Sequence, residues 1–147
     1  MTDFQQHLTR QCAVSREKFG PNERREGVIA HIKEELQEIK EAETQADVCN
    51  EWADVCILGM DGLLRAVREW LRALFNPEFP HEVPYLSGHF VQNVLYYVNG
   101  EPTNEYVAAV ALDIILDKQA KNELRDFGNW RDASDDKPIN HKRGIHD

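Results

Sequence analysis

The residues best placed to do chemistry lie between His31 and Asp61, in the stretch HIKEELQEIKEAETQADVCNEWADVCILGMD. Glu34-Glu35-x-x-Glu38 falls on one expected helix and Glu51-x-x-Asp54 on the next, and a connection around residues 44–50 is short enough to make the two helices antiparallel neighbours. On a helical wheel the first helix turns an apolar arc of Val28, Ile29, Ile32, Leu36 and Ile39 toward a core, with Glu35 on its margin and Glu38 and His31 just beyond. The second has a main arc of Trp52, Cys56, Met60, Leu63, Val67 and Trp70, while Val55 and Leu58 flank the strip that carries Glu51 and Asp54. Acids so placed are expected to be semi-buried. Carboxylates drawn together in this way repel, and a cation or raised pKa values must relieve them. A hard divalent ion such as Mg²⁺, with Mn²⁺ as substitute, is the simplest remedy, because it prefers oxygen ligands. An isolated EExxE is most often a solvated helix face; a second acid pair on the adjoining helix favours the metal reading.

The elements that must position these acids are helices. The chain of 147 residues is the size of one domain, with 41% apolar and 29% charged residues. A first helix is expected over Asp3–Lys18, stopped by Gly20-Pro21-Asn22, and a second begins near Asn22–Glu26. A third runs from about Asp47 to Leu74. Three prolines, Pro77, Pro80 and Pro84, make residues 76–87 a loop, and Leu86–Val98 is apolar enough for a buried helix or a strand pair. Asn99-Gly100-Glu101-Pro102 is a turn, and a fourth long helix follows from Thr103 or Asn104 to about Asp126, with Val107, Val110, Ala111, Ile114 and Ile115 toward the core. Lys142–Asp147 is expected to be a mobile tail. The fold class is all-α, a bundle of four or five helices.

Composition narrows the function. A net charge of −9 argues against a nucleic-acid polymer as partner, since such binding rests on basic groups replacing counterions. No apolar run approaches a membrane span and the N-terminus lacks an apolar leader, so a cytoplasmic protein without membrane contact is expected. Cys12, Cys49 and Cys56 are odd in number and have no CxxC spacing, which suits small core fillers rather than disulfides or zinc.

EExxE followed by ExxD on consecutive helices is similar to the MazG-like all-α nucleoside triphosphate pyrophosphohydrolases. FGP-x-x-R-x-x-G from Phe19, then His31-Ile32, and later KQAKNE-x-R with Asn129-Trp130-Arg131 and Asp136-Lys137-Pro138-Ile139-x-His141, resemble its dATP/dGTP branch. The likeness covers residues 15–65 and 110–141; residues 68–104 look like an insertion into the bundle, and Phe127-Gly128 and Asn140 depart from the branch pattern. The resemblance implies that Glu35, Glu38, Glu51 and Asp54 hold two or more Mg²⁺ ions and that a (deoxy)nucleoside triphosphate, dATP or dGTP, is hydrolysed between its α and β phosphates to monophosphate and pyrophosphate. In that scheme Glu34 or Glu38 takes the proton, and His31 and Asp61 support the ligands, although Asp61 can equally pair with Arg65 at i+4. Lys118, Asn122 and Arg125 share a helix face and would meet the phosphates, joined by Arg131 and by Arg25 near the start of the second helix, and Trp130 or Phe19 would stack on the base. Related proteins are dimers or tetramers, so a homo-oligomer is expected. Two alternatives stand beside this reading: the same reaction on dUTP, dCTP or a damaged nucleotide, and a non-catalytic helical module whose acids dock a basic partner.

Overall fold

The computed structural model describes residues 2–75 and 95–142. The described residues are mostly helical, as expected, with four α-helices and one two-stranded hairpin: α1 (Asp3–Phe19), α2 (Arg25–Glu41), α3 (Gln45–Leu74), β1 (Tyr97–Val98), β2 (Glu101–Pro102) and α4 (Asn104–Leu124), then a 3₁₀ turn at Trp130–Asp132. The proline loop at 76–87, most of the 86–98 segment and residues 143–147 of the expected tail lie outside the described residues. The chain divides into two compact units, Met1–Asp113 and Ile114–Asp147.

Local chemistry sets the helix ends. α1, α3 and α4 each follow a threonine whose hydroxyl accepts from the backbone N–H three residues on: Thr2 from Gln5 (3.1 Å), Thr44 from Asp47 (3.1 Å) and Thr103 from Tyr106 (3.2 Å). Each satisfies one of the donors a helix start leaves unpaired, worth about 1 kcal/mol. Thr44 therefore starts α3 at Gln45, two residues before the expected position, and leaves only residues 42–44 between α2 and α3. Gly20, at φ +87°, ends α1, a conformation that costs residues with a Cβ. Asn99 and Gly100 both have positive φ, the geometry of a tight hairpin, and they pair Tyr97 with Pro102 and Val98 with Glu101.

The first unit has its core where α1, the C-terminal half of α3 and the start of α4 meet. Leu8, Cys12, Leu64, Val67, Leu71, Tyr106 and Val110 are buried there, and Tyr96 and Tyr97 pack edge-on against the Tyr106 ring at 4.8 and 5.7 Å. Two buried arginines tie the elements together. Arg65 donates from Nε to Asp61 (3.0 Å) and from its other nitrogens to the Ser15 hydroxyl (2.8 Å) and the carbonyls of Gly20 (3.0 Å) and Asn22 (2.5 Å), so it fixes the turn that launches α2. Arg68 donates to the Pro102 carbonyl (2.6 Å) and the Asn104 side chain, which clasps α3 to the hairpin and the start of α4.

Several core assignments are corrected. Of the α2 arc only Val28 is buried; Ile29 and Leu36 are exposed. Trp52 and Trp70 of α3 are also exposed, and so is Ile114 of α4. Cys12 is a core filler as expected, but Cys49 and Cys56 lie at the surface. The physical reason is that an apolar arc records that a face can be covered, not which element covers it; among the described residues of this unit the core gathers around the C-terminal half of α3, away from Ile29, Leu36 and Trp52. The fourth helix ends at Leu124, before the expected Asp126.

Candidate functional site

α2 and α3 run antiparallel, with Val28 close to Gly62 and Glu35 close to Glu51. That register brings together one oxygen each from Glu35, Glu38 and Glu51, all within 4.8 Å of one another. Glu35 is buried, Glu51 half-buried and Glu38 exposed, so the cluster opens to solvent on the Glu38 side. Glu35 Oε2 and Glu51 Oε2 are both shielded from solvent, and among the described residues no N–H or hydroxyl donates to either, which leaves a protonated neighbouring carboxyl as the one protein donor within reach. Buried carboxylate oxygens without donors are costly unless a proton or cation serves them.

The protonation equilibria reflect this crowding. The Glu51 carboxyl is pushed up to about 7, first by its hydrogen bond with Glu35, then by that with Glu38, and then by desolvation. For Glu35 the largest influence, the hydrogen bond with Glu51, acts downward, but burial and the neighbouring Glu38 and Asp54 charges outweigh it and its pKa is raised. The pair thus tends to hold one proton between two carboxylates.

The remaining expected ligands and partners fall as follows. Asp54 is exposed and outside the group of three, yet its charge acts on Glu35. Glu34 is exposed on the helix surface. His31 sets Nε2 3.3 Å from Glu35 Oε1, the supporting position expected for it. Asp61 does not join the carboxylate cluster: Ser15 Oγ donates to one of its oxygens (2.5 Å) and Arg65 to the other (3.0 Å), so the salt-bridge alternative describes it. Arg25 is exposed and paired with Glu23 at 2.8 Å. Beside it Arg24, in the left-handed region at φ +54°, sets its guanidinium 5.6 Å from the centre of the Phe19 ring.

Two cavities border this face of α3. One, about 310 Å³ and open, is lined by Glu38, Glu41, Ala42, Glu43, Asp47 and Glu51. Glu41, Glu43 and Asp47 were not singled out in the sequence; their only signal is that the short α2–α3 turn folds the last acids of one helix against the first of the next. The other, about 270 Å³, lies between α1 and α3 and is lined by His7, Arg10, Gln11, Val14, Ser15, Phe19, Ile57, Leu58 and Asp61. Gln11 donates to the Ile57 carbonyl (2.8 Å), and its own Oε1 is buried without a donor. Of these α1 residues, Phe19 alone belongs to the site expected from the sequence.

Lys118, Asn122, Arg125, Trp130 and Arg131 fall in the second unit. Lys118 and Asn122 lie on exposed or half-buried surface of α4, and Arg125 follows the helix, its guanidinium donating to Asn122 Oδ1 (2.9 Å). Arg125 thus lies just beyond the end of α4, off the single helix face expected for Lys118, Asn122 and Arg125, and keeps a link to Asn122 through this hydrogen bond. Trp130 is exposed, with the Arg131 guanidinium stacked 4.5 Å from its ring.

The residues present fit a hard divalent cation. All the candidate donors are carboxylate oxygens, two of them buried with no described N–H or hydroxyl serving them, and an acidic cleft continues beyond them. No family model, curated protein or solved structure matches the chain. No described helix is long and apolar enough to cross a membrane.

Proposed function

We propose that this chain is a Mg²⁺-dependent pyrophosphohydrolase of (deoxy)nucleoside triphosphates, dATP or dGTP first among them, releasing the monophosphate and pyrophosphate. The observation that carries the reading is the convergence of Glu35, Glu38 and Glu51 from two antiparallel helices, with two buried oxygens that no described N–H or hydroxyl serves. Glu35, Glu38 and Glu51 would hold the metal, with Asp54 at its edge. A bound Mg²⁺ supplies Lewis acidity: it offsets phosphate charge and makes water a better nucleophile near neutral pH. Glu38, the most open of the three, is the residue placed to accept a proton from an attacking water, with Glu34 beside it at the surface as the other candidate. His31 holds the Glu35 carboxylate from the solvent side.

The neighbouring cavity supports a nucleotide of this kind. Leu58 is seven residues beyond Glu51 on the same face of α3, a separation of about 10 Å at the helical rise. That is the scale of the distance between a base and its α-phosphate. At about 270 Å³ the cavity is near the small end of ligand sites, its lining is mainly apolar, and the Gln11 carbonyl offers an unserved acceptor to a base N–H. Lys118, Asn122 and Arg125 are the proposed donors to the β and γ phosphates, because carboxylates and metal together leave little positive charge for them.

The test is product analysis by ³¹P NMR and chromatography with every deoxy- and ribonucleoside triphosphate, including dUTP and dCTP, in Mg²⁺ and in EDTA. Monophosphate and pyrophosphate in Mg²⁺ alone support the reading, and the preferred base follows from the panel. No turnover of any nucleotide would leave the acids to a protein-docking role.

A further inference from the structure

We infer that the first unit carries an anion site apart from the carboxylate cluster: a small cleft between α1, the turn at Gly20-Pro21 and α3, in which Arg16 and Arg68 hold one monoatomic anion, chloride being the common one. Cys12, Ser15, Arg16, Asp61, Arg65 and Arg68 line this cleft. Three guanidinium groups therefore border it with a single carboxylate, in a chain whose net charge is −9. Positive charge gathered against the sign of the whole protein is a local feature that an anion can use.

These charges are unequally answered. Arg65 is paired with Asp61, whose two oxygens are taken by Arg65 (3.0 Å) and Ser15 Oγ (2.5 Å). Arg72, one turn beyond Arg68, is held by both oxygens of Glu101 and by Glu69. Arg68 is 3% exposed and donates to the Pro102 carbonyl, the Asn104 side-chain oxygen and the Cys12 sulfur (3.2 Å), none of them a carboxylate. Arg16 is half-buried and makes no ion pair or side-chain hydrogen bond with a described residue, and its Nε is shielded from solvent without an acceptor. Its guanidinium is held below the ordinary pKa, first by burial and then by the like charge of Arg68, which together outweigh the opposing influence of Cys12 and Glu101.

Size selects the ligand. The cleft has a volume of about 10 Å³, the lower limit for one water-sized body, and is too small for a phosphate or a carboxylate group. A water supplies only a dipole and leaves both charges unanswered. An anion of that size gives Arg16 Nε its acceptor and offsets the charge of Arg68 as well, through charge-assisted hydrogen bonds roughly twice as strong as neutral ones. Ser15 and Asp61 also line the larger cavity between α1 and α3, so the anion braces the wall that the two share.

The experiment uses the full chain at constant ionic strength, with sodium gluconate replaced stepwise by sodium chloride. The melting temperature by circular dichroism should rise by about 4–7 °C and level off by about 200 mM, as for a ligand that binds the folded chain with a dissociation constant of about 10 mM. The ³⁵Cl NMR line should broaden in proportion to protein and narrow again when bromide competes. Arg16→Met should keep helical circular dichroism, melt no lower than the wild type in gluconate because the like charge beside Arg68 is gone, and lose both the chloride rise and the broadening. Lys18→Met, at an exposed position of the same helix, should keep both. Phosphate at the same ionic strength should give no rise that depends on Arg16. A wild-type melt indifferent to chloride, a chloride response retained by Arg16→Met, a much lower melt of that variant in gluconate, or an Arg16-dependent rise with phosphate as large as with chloride would each overturn the inference.

Discussion

Asp61 separates a structural role from a metal role, and its replacement by alanine gives a sharp test. The Arg65 guanidinium is 5% exposed and, among the described residues, Asp61 is its one anionic hydrogen-bond partner; the others are the Ser15 hydroxyl and three backbone carbonyls. Asp61→Ala leaves that charge buried with neutral acceptors and leaves Ser15 Oγ without its acceptor. Breaking a buried ion pair from one side costs about 3–5 kcal/mol. For a chain of this size, each kcal/mol lowers the melting temperature by about 2–4 °C, so a fall of about 6–20 °C is expected. Thermal melts by circular dichroism, in EDTA and in Mg²⁺, should show the same loss in both. Asp61→Leu with Arg65→Met should recover part of it, since removing both charges leaves no orphan. A loss under about 3 °C, or an unchanged melt in EDTA with the Mg²⁺ response gone, would refute the reasoning and return Asp61 to the metal site.

The remaining expectations concern the carboxylates and the basic segment. Because the Glu51 carboxyl lies near 7 in the fold against an ordinary 4.5, the metal-free protein binds a proton that the unfolded chain has released; this contribution to stability is full below pH 4.5 and lost as pH rises through about 7. Metal must displace that proton, so Mn²⁺ affinity by calorimetry should rise about tenfold from pH 6 to pH 8, and Glu51→Gln should weaken binding and flatten the dependence. Glu38→Gln should abolish turnover yet leave the metal-free melting temperature equal or higher, as one source of repulsion is gone; a large fall would make the carboxylate structural. Lys118→Ala and Arg125→Ala should lower kcat/KM by roughly 10²-fold with unchanged circular dichroism, as expected for loss of a charge-assisted phosphate contact, and near-normal kinetics would direct attention to Arg24 and Arg25 instead.

Much of the fold was legible because its signals are local. The Gly20-Pro21 stop, the turn at Asn99-Gly100 and the long apolar periodicities each act within a few residues, and the structure has helices where they indicate; the Thr44 cap was not read, and α3 begins two residues earlier than expected for that reason. The pairing of Glu35 and Glu38 with Glu51 was legible too, since a short connection leaves antiparallel packing as the simple solution. What escaped depends on non-local geometry. An arc such as Ile29-Leu36 or Trp52-Cys56 specifies a face to be covered, not the element that covers it, and exposure at these positions could not be read from periodicity. The burial of Gln5, Ser15 and Arg68 follows from partners as many as 56 residues away, as in the contact of Arg68 with Cys12. The acids Glu41, Glu43 and Asp47 became neighbours only through the detail of a three-residue turn, and the α1 cavity only through the angle at which α1 meets α3.

The central claim is hydrolysis at the α-phosphorus by a site built on Glu35, Glu38 and Glu51. Its most direct test is turnover of dATP or dGTP with Mg²⁺ in ¹⁸O-labelled water, with the products read by mass spectrometry. The account predicts one ¹⁸O in the monophosphate, none in the pyrophosphate, and no incorporation with Glu38→Gln. Label in pyrophosphate or free phosphate, or undiminished incorporation by that variant, would contradict it.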